Sequence, residues 1–293
     1  MKKLLLFAAI AGIMLAGCDD KVDPNVKGIS FKVTVTSGGK CEFYLTGTGS
    51  VTAKWGDGSS GTFTLLSVSD IMDLTAESYF YNDYASAGTK TVSLTGDYIE
   101  GLFLHQGQSI VSIDASRCSG LEQLWCIKGQ LTSLDVSKNP NLKSLSCSEN
   151  KLSSLDLSKN TALQDFWCDG NQLQSLDLSA NTALRTVLCS ENKLKTLDFS
   201  NHPALANLAC DNNEITSITL GQHPNLMYFR CNENKLELAA LTAIFNALPN
   251  RTGTDEGNII VVNNPGVSNA GFAAAKAIAT AKNWNVIDVY AGS

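Results

Sequence analysis

Six cysteines, Cys126, Cys147, Cys168, Cys189, Cys210 and Cys231, recur at a strict spacing of 21 residues, and the residues around them repeat with them. A fixed period in the twenties marks a chain wound into stacked coils, because one coil alone cannot bury its apolar side. One coil reads Leu142-x-x-Leu145-x-Cys147-x-x-Asn150-x-Leu152-x-x-Leu155-x-Leu157. Leu145 and Cys147 alternate with Ser144, Ser146 and Ser148, so the first pair is expected inside and the serines outside. Asn150, Asn171, Asn192, Asn213 and Asn234 then stand at one turn, where an amide can satisfy backbone groups that the bend leaves unpaired; Gly129 takes that place in the first coil.

This pattern resembles the leucine-rich-repeat family over roughly residues 100 to 240. The fold class expected is a mainly β, α/β-edged solenoid of 21-residue coils, with an N-terminal β-sandwich-like domain and a C-terminal α/β cap. Residues 27–98 read as short strands: Phe31, Val33 and Val35, then Phe43 and Leu45, then Val51 to Trp55. Trp55-Gly56-Asp57-Gly58, with Tyr84 to Thr95 further on, resembles PKD-type immunoglobulin-like domains; Asp57 reads as a turn former. The coils occupy 99–237, opening with an irregular coil from Gly101 to Ser116 that is one residue longer than the rest. In 238–293 the helix Leu238 to Leu248, the strand from Ile259, a turn at Asn263 to Gly266, the helix Ala270 to Ala281 and a strand at Val286 to Val289 are expected to cover the last coil.

No metal, cofactor or catalytic residue is expected. A ladder spreads thiols along a line where zinc needs them converging, and in-register side chains run parallel, which is poor geometry for a disulfide. The six thiols are therefore read as reduced core groups. Cys41 and Cys118 lie outside the ladder; an export compartment permits a bridge between them, but nothing in the sequence brings them together. Cys118, Asn139, Asn160, Asn181, His202 and His223 share another turn position, which puts the two imidazoles on adjacent coils without further ligands. His105 has no catalytic company.

Function is expected where the coils differ. The second half-coils are uniform outside, Ser154-Asp156-Ser158 and Ser175-Asp177-Ser179 being typical, whereas the residues beside the cysteines vary and include aromatics. Trp, Tyr and Arg are preferred binding anchors. Trp125, Trp167, Asp165, Asp169, Leu188, Asp211, Tyr228 and Arg230 are thus the candidate ligand-binding residues of a non-catalytic surface module that recognises a protein, peptide or glycan. Trp125 and Trp167, two coils apart, are expected at about 10 Å between Cα atoms, forming a slot over Ser146. The alternative is an accessory or catalytic component of surface polysaccharide processing. Its support is Asp165 and Asp169, yet four residues on one strand span roughly 13 Å, beyond the about 5 to 10 Å of glycosidase pairs.

The N-terminus gives the address. Lys2 and Lys3 precede an apolar run from Leu4 to Leu15, which is too short to span a bilayer but suits a signal-peptide core over 1–17. Leu15-Ala16-Gly17-Cys18 resembles the lipobox of bacterial lipoproteins, which implies acylation of Cys18, a linker over 18–26 and membrane attachment. In the further likeness to Bacteroidetes-type surface lipoproteins, Asp19 and Asp20 imply display on the outer face of the outer membrane. Without Lys2 and Lys3 the 22 basic residues fall to 20 against 28 acidic ones, a net charge of −8 that argues against nucleic acid as a partner. Cys18→Ala is expected to move the protein from the detergent phase to the aqueous phase in detergent partitioning; unchanged retention with membranes would refute the anchor.

Overall fold

The computed structural model describes residues 27–67, 78–104 and 109–289. The segment 1–17 read as a signal peptide, Cys18 and the 18–26 segment read as its linker, and His105 lie outside the described residues. The N-terminal unit holds β1 (Gly28–Val35), β2 (Lys40–Lys54), β3 (Ser60–Thr64), β4 (Tyr79–Asp83), β5 (Gly88–Leu104) and β6 (Ser109–Asp114). β1 lies between β5 and β6, while β2 pairs with β3, β4 and the other side of β5. β1 and β2 share no ladder but face each other across a core, where Phe31 meets Phe43 edge-on at 5.6 Å. Trp55 and Tyr84 close that core, and the Tyr84 hydroxyl donates to the Trp55 carbonyl at 2.7 Å.

Two strands read separately from the sequence, around Phe43 and around Val51, are one 15-residue strand, β2, bent by register shifts at Thr46/Gly47 and Thr48/Val51. The bend needs glycine: at Gly47, with φ +149°, a Cβ would lie 1.9 Å from the Tyr98 carbonyl oxygen. Asp57 is a turn former, accepting from the Ser59 N–H at 2.9 Å and from Asn82 Nδ2 at 2.8 Å. The boundary read at 98/99 falls inside β5, whose first part belongs to the N-terminal sheet and whose last four residues, Gly101–Leu104, pair in parallel with the first regular coil.

That first coil carries β7 (Gln123–Cys126), and β8 (Ser144–Ser146), β9 (Asp165–Trp167) and β10 (Thr186–Leu188) follow. After β11 (Thr196–Phe199) come β12 (Asn207–Ala209), β13 (Ser217–Leu220) and β14 (Tyr228–Arg230). The cysteine-side strands form one parallel ladder, and β11 with β13 forms a two-stranded sheet in the other half-coils. The chain is therefore a β-solenoid of leucine-rich-repeat type with a 21-residue repeat. Its core is built in columns: Leu124, Leu145, Phe166, Val187, Leu208 and Phe229 stack in register, each fully buried. The six ladder cysteines stack beside them, and all eight described thiols are free and buried. Burial pushes the Cys126 thiol up to about 12 and Cys147, Cys168 and Cys210 well above the usual range, so these groups stay protonated and inert.

The turns hold the stack together. Asn171 Nδ2 donates to the carbonyls of Cys147 and Cys168 at 3.0 Å and of Asp169 at 3.3 Å, while its Oδ1 accepts from the Leu152 N–H at 3.0 Å. Asn150, Asn192, Asn213 and Asn234 repeat the arrangement. Gly129 stands in the place of Asn at the start, where a Cβ would lie 2.6 Å from Asn150 Oδ1. The residue before each ladder asparagine is left-handed, with φ between 53° and 64° at Lys128, Glu149, Gly170, Glu191, Asn212 and Glu233; only Gly170 escapes the Cβ penalty. A second ladder lines the opposite turn: Asn139, Asn160 and Asn181 each donate Nδ2 to two backbone carbonyls, and Cys118 donates Sγ to the Ile99 carbonyl in the same column.

Beyond Arg230 the stack continues with helices in place of the second half-coils: α1 (Leu238–Ala247), β15 (Gly257–Ile260), α2 (Phe272–Thr280) and β16 (Trp284–Ile287). β15 pairs with β14 and β16 with β15, both in parallel. Asn264, read from the sequence as part of a simple turn, extends the asparagine ladder: its Nδ2 donates to the Cys231 and Val261 carbonyls at 2.9 Å. Because each ladder asparagine satisfies several buried backbone groups, Asn171→Ala is expected to cost about 2 to 4 kcal/mol. Urea denaturation should show a lower midpoint with an unchanged slope. The exposed Ser175→Ala should stay within about 0.5 kcal/mol of the parent, and an equally small change for Asn171→Ala would refute the role of the ladder.

Candidate ligand-binding face

The parallel ladder turns three columns of side chains outward. The first runs Gln123, Ser144, Asp165, Thr186, Asn207 and Tyr228, and the second Trp125, Ser146, Trp167, Leu188, Ala209 and Arg230. The third follows the strands, with Ser148, Asp169, Ser190, Asp211 and Asn232. All eight residues expected to bind therefore lie on one face, though they differ in what they can offer a ligand.

Trp125 and Trp167 do not frame a slot. Their ring centroids lie 5.3 Å apart at 62°, an edge-to-face contact, and Ser146 beneath them is only 2% exposed. Serine is too small to hold apart two indoles rooted on alternate strands, so the rings lean together and cover it. The Trp125 indole N–H donates to Ser144 Oγ at 3.0 Å, and its other side meets Phe103 at 5.7 Å and 63°. Phe103, in turn, lies over Gly101, where a Cβ would stand 2.8 Å from the ring. Phe103 was not among the expected residues. The signal was its place 22 residues before Trp125, in the coil that runs one residue long.

Asp169 and Asp211 both bond within the stack. Asp169 accepts from the Ser190 N–H at 3.0 Å and from Ser148 Oγ at 3.3 Å. Burial nevertheless leaves its carboxyl above the usual carboxylate range. Asp211, with a side chain 9% exposed, accepts from Ser190 Oγ at 2.6 Å and from Arg230 Nε at 2.5 Å. Arg230 thus has its counter-ion within the chain. Asp165, Leu188 and Tyr228 are half-buried on the open face. Asp165 belongs to the first column and Asp169 to the third, on either side of Trp167, so they make no glycosidase-type pair.

The histidine column is structural. His202 Nε2 bonds the Leu178 carbonyl at 3.0 Å, as the asparagines before it do with Nδ2. His223 Nδ1 bonds the His202 carbonyl at 2.8 Å and Nε2 accepts from the Gly221 N–H at 3.0 Å, which assigns the neutral Nδ1–H tautomer. Among the described residues no three His, Cys, Asp or Glu side chains gather to hold a metal ion.

No protein-family model and no curated protein matches the chain. Among solved structures it is similar to the functional domain of InlJ from Listeria monocytogenes, which includes a cysteine ladder, at 28% identity and a TM-score of 0.41, over 53% of this chain and 37% of that one. It is also similar to the leucine-rich repeat domain of APL1B, at 21% identity and a TM-score of 0.44, over 59% and 56% of the two chains. A third similarity, to the internalin InlF of Listeria monocytogenes, has 20% identity and a TM-score of 0.43 over 64% and 62%. The match spans less than two thirds of each of these chains.

Burial lowers the His223 pKa below the ordinary imidazole value of 6.5. The unfolded chain therefore binds a proton before the folded one does, so stability is full above that value and falls as pH drops through it. The urea midpoint is expected to decrease as pH is lowered from about 7.5 to about 5.5. His223→Asn, which keeps the column's donor, should flatten the decrease; an unaltered pH dependence in that variant would rule His223 out as its source.

Proposed function

We propose that this chain is a non-catalytic recognition module of a bacterial cell surface, which binds its partner on the outward strand face of the solenoid. The observation that carries this reading is the contrast between the two sides of the coils. The second half-coils repeat Asp in a turn that caps its own backbone, as in the bonds from the Ser158 and Ser179 N–H groups to Asp156 and Asp177 at 2.9 Å. Such a face is built to stay wet and to turn the chain. The cysteine side, with identical backbone geometry, carries a different side chain on nearly every coil, and its middle column offers the half-buried Trp125, Trp167 and Leu188 between the buried Phe103 and Ala209. The half-buried aromatic and apolar groups of that column are the kind of surface that marks an interaction site. Trp125, Trp167, Leu188, Tyr228 and Asp165 are the contacts we assign; Asp169, Asp211 and Arg230 support the face from within.

The same reading takes residues 27–98 as a PKD-like spacer and Cys18 as a lipidated anchor of the outer membrane, in a Bacteroidetes-type surface lipoprotein. Two signals or several acyl chains hold a protein stably on a bilayer where one does not. A regular solenoid beyond such an anchor presents its strand face as one continuous surface.

The test is a binding array of proteins, peptides and glycans probed with residues 18–293. For a ligand so found, Trp167→Ala is expected to weaken binding by about 10- to 100-fold. Because Trp167 also packs on Trp125, the same variant should lower stability modestly, by about 1 to 2 kcal/mol. Asp177→Ala on the opposite side should leave affinity unchanged. The reverse outcome, with Asp177→Ala weakening binding and Trp167→Ala silent, would place the site on the other face.

A further inference from the structure

The strand face does not end where the repeats end. β5 pairs with β7 on one side and with β2 on the other, and β2 pairs with β4. In that register Phe103 is opposite Tyr44, and Tyr44 is opposite Tyr79. The middle column of the solenoid therefore runs on into the N-terminal sheet, from the half-buried Leu188, Trp167 and Trp125 over Phe103, which at 5% exposure forms its floor, to the half-buried Tyr44 and Tyr79. Seven strands at hydrogen-bonding spacing make this row roughly 29 Å long. Ring contacts hold it: Tyr44 and Tyr79 lie 5.2 Å apart, Tyr79 and Tyr81 5.9 Å, and Trp125 touches both Phe103 and Trp167. The Tyr79 hydroxyl donates to Glu42, which fixes that end further. The row is thus ordered before any ligand arrives, which lowers the entropic cost of binding.

Charge decides what the row fits. Beside the row, Lys40 is held by Glu42 at 3.8 Å and Arg230 by Asp211 at 2.5 Å, while the exposed Lys54 and Arg185 stand at its margins. Lys40 also stands 4.7 Å over the Tyr81 ring. Two separated cations at the margins do not make the clustered basic surface that recognises a polyanion. Of the carboxylates, Glu42, Asp169 and Asp211 already accept bonds from the chain, so a polycation finds little to pair with. An extended peptide is poorly served as well, because the sheet spends its backbone donors and acceptors within the ladder and meets the ligand with its flat side. What borders the row is a file of amide, hydroxyl and carboxylate groups, Gln123, Ser144, Asp165, Thr186 and Asn207.

Resting on the reading that the strand face is the binding face, we propose that its ligand is an extended neutral glycan. The glycan lies along the row from the tyrosines of the N-terminal sheet to Leu188. The apolar faces of its sugar rings rest on Trp167, Trp125, Tyr44 and Tyr79, and their hydroxyls bond the polar file beside them.

Native gel electrophoresis through soluble neutral polysaccharides, a β-glucan, a mannan and a xylan, with polygalacturonate as the acidic control, tests this on residues 18–293. Retardation is expected in at least one neutral gel and not in the acidic one. Tyr44→Ala and Trp167→Ala should each weaken it about tenfold, while Tyr44→Phe retains it. If either alanine variant fails to fold by circular dichroism, Tyr44→Val or Trp167→Val, which keeps strand propensity, takes its place. Retardation lost with Trp167→Ala but untouched by Tyr44→Ala would overturn the extended row and leave the solenoid face standing. Retardation in the acidic gel only, or in none, would overturn the glycan, and a Trp167-dependent protein ligand from the array would then keep the binding face while replacing its partner.

Discussion

Everything in this molecule depends on the buried amide at the turn. A coil that reverses direction inside a stack leaves carbonyls and N–H groups facing protein, and water cannot reach them. One asparagine per coil answers several of these at once, reaching the carbonyls of its own coil and of the one before, and receiving an N–H from the preceding coil. The bond geometry works only if the preceding coil presents its carbonyl and N–H in the same spot each time. That requirement locks the period, fixes the left-handed residue before each asparagine, and sets the inward cysteine three residues earlier at a constant depth. The ends obey it too: Asn264 meets the condition from a longer coil closed by a helix, and Gly129 makes room for the reach of Asn150.

A stack so regular has a simple outer surface, in which positions 21 residues apart become neighbours at strand spacing. Small differences between coils then become surface patterns. A serine between two tryptophans brings the rings into contact; an arginine one coil after an aspartate produces an ion pair; alternating serine and aspartate produces a hydrogen-bonded file. The same side chains on an irregular surface would share no such relation. The N-terminal sheet joins this order because β5 serves both units, so its antiparallel partners β2 and β4 inherit the register of the parallel ladder.

The coil stack, the inward leucines and cysteines, the role of the asparagines and the helical closure were legible in the sequence, since each is a consequence of periodicity. The bonds of Asp169 and Asp211 within the stack were not legible, because their distance from a core column says only that they lie outside it. Whether an outside carboxylate meets water or a serine of the next coil depends on rotamers. The supposed slot between Trp125 and Trp167 failed for the same reason: strand spacing sets the Cα separation, while two large rings above a serine are free to close it. The bent β2 hid behind Gly47 and Gly49, whose alternation looks like the gap between two strands.

The sequence by itself determined the repeat, its contents and its handling of backbone polarity, because these follow from spacing along one chain and from what each residue type can bury or bond. Only the tertiary structure decided that Tyr44 and Tyr79 stand in line with Phe103 and the tryptophans. Antiparallel pairing between distant segments has no period to announce it, and the register of β2 on β5 is set by the packing of Phe43 and Leu45 into a core shared with Phe31 and Leu102.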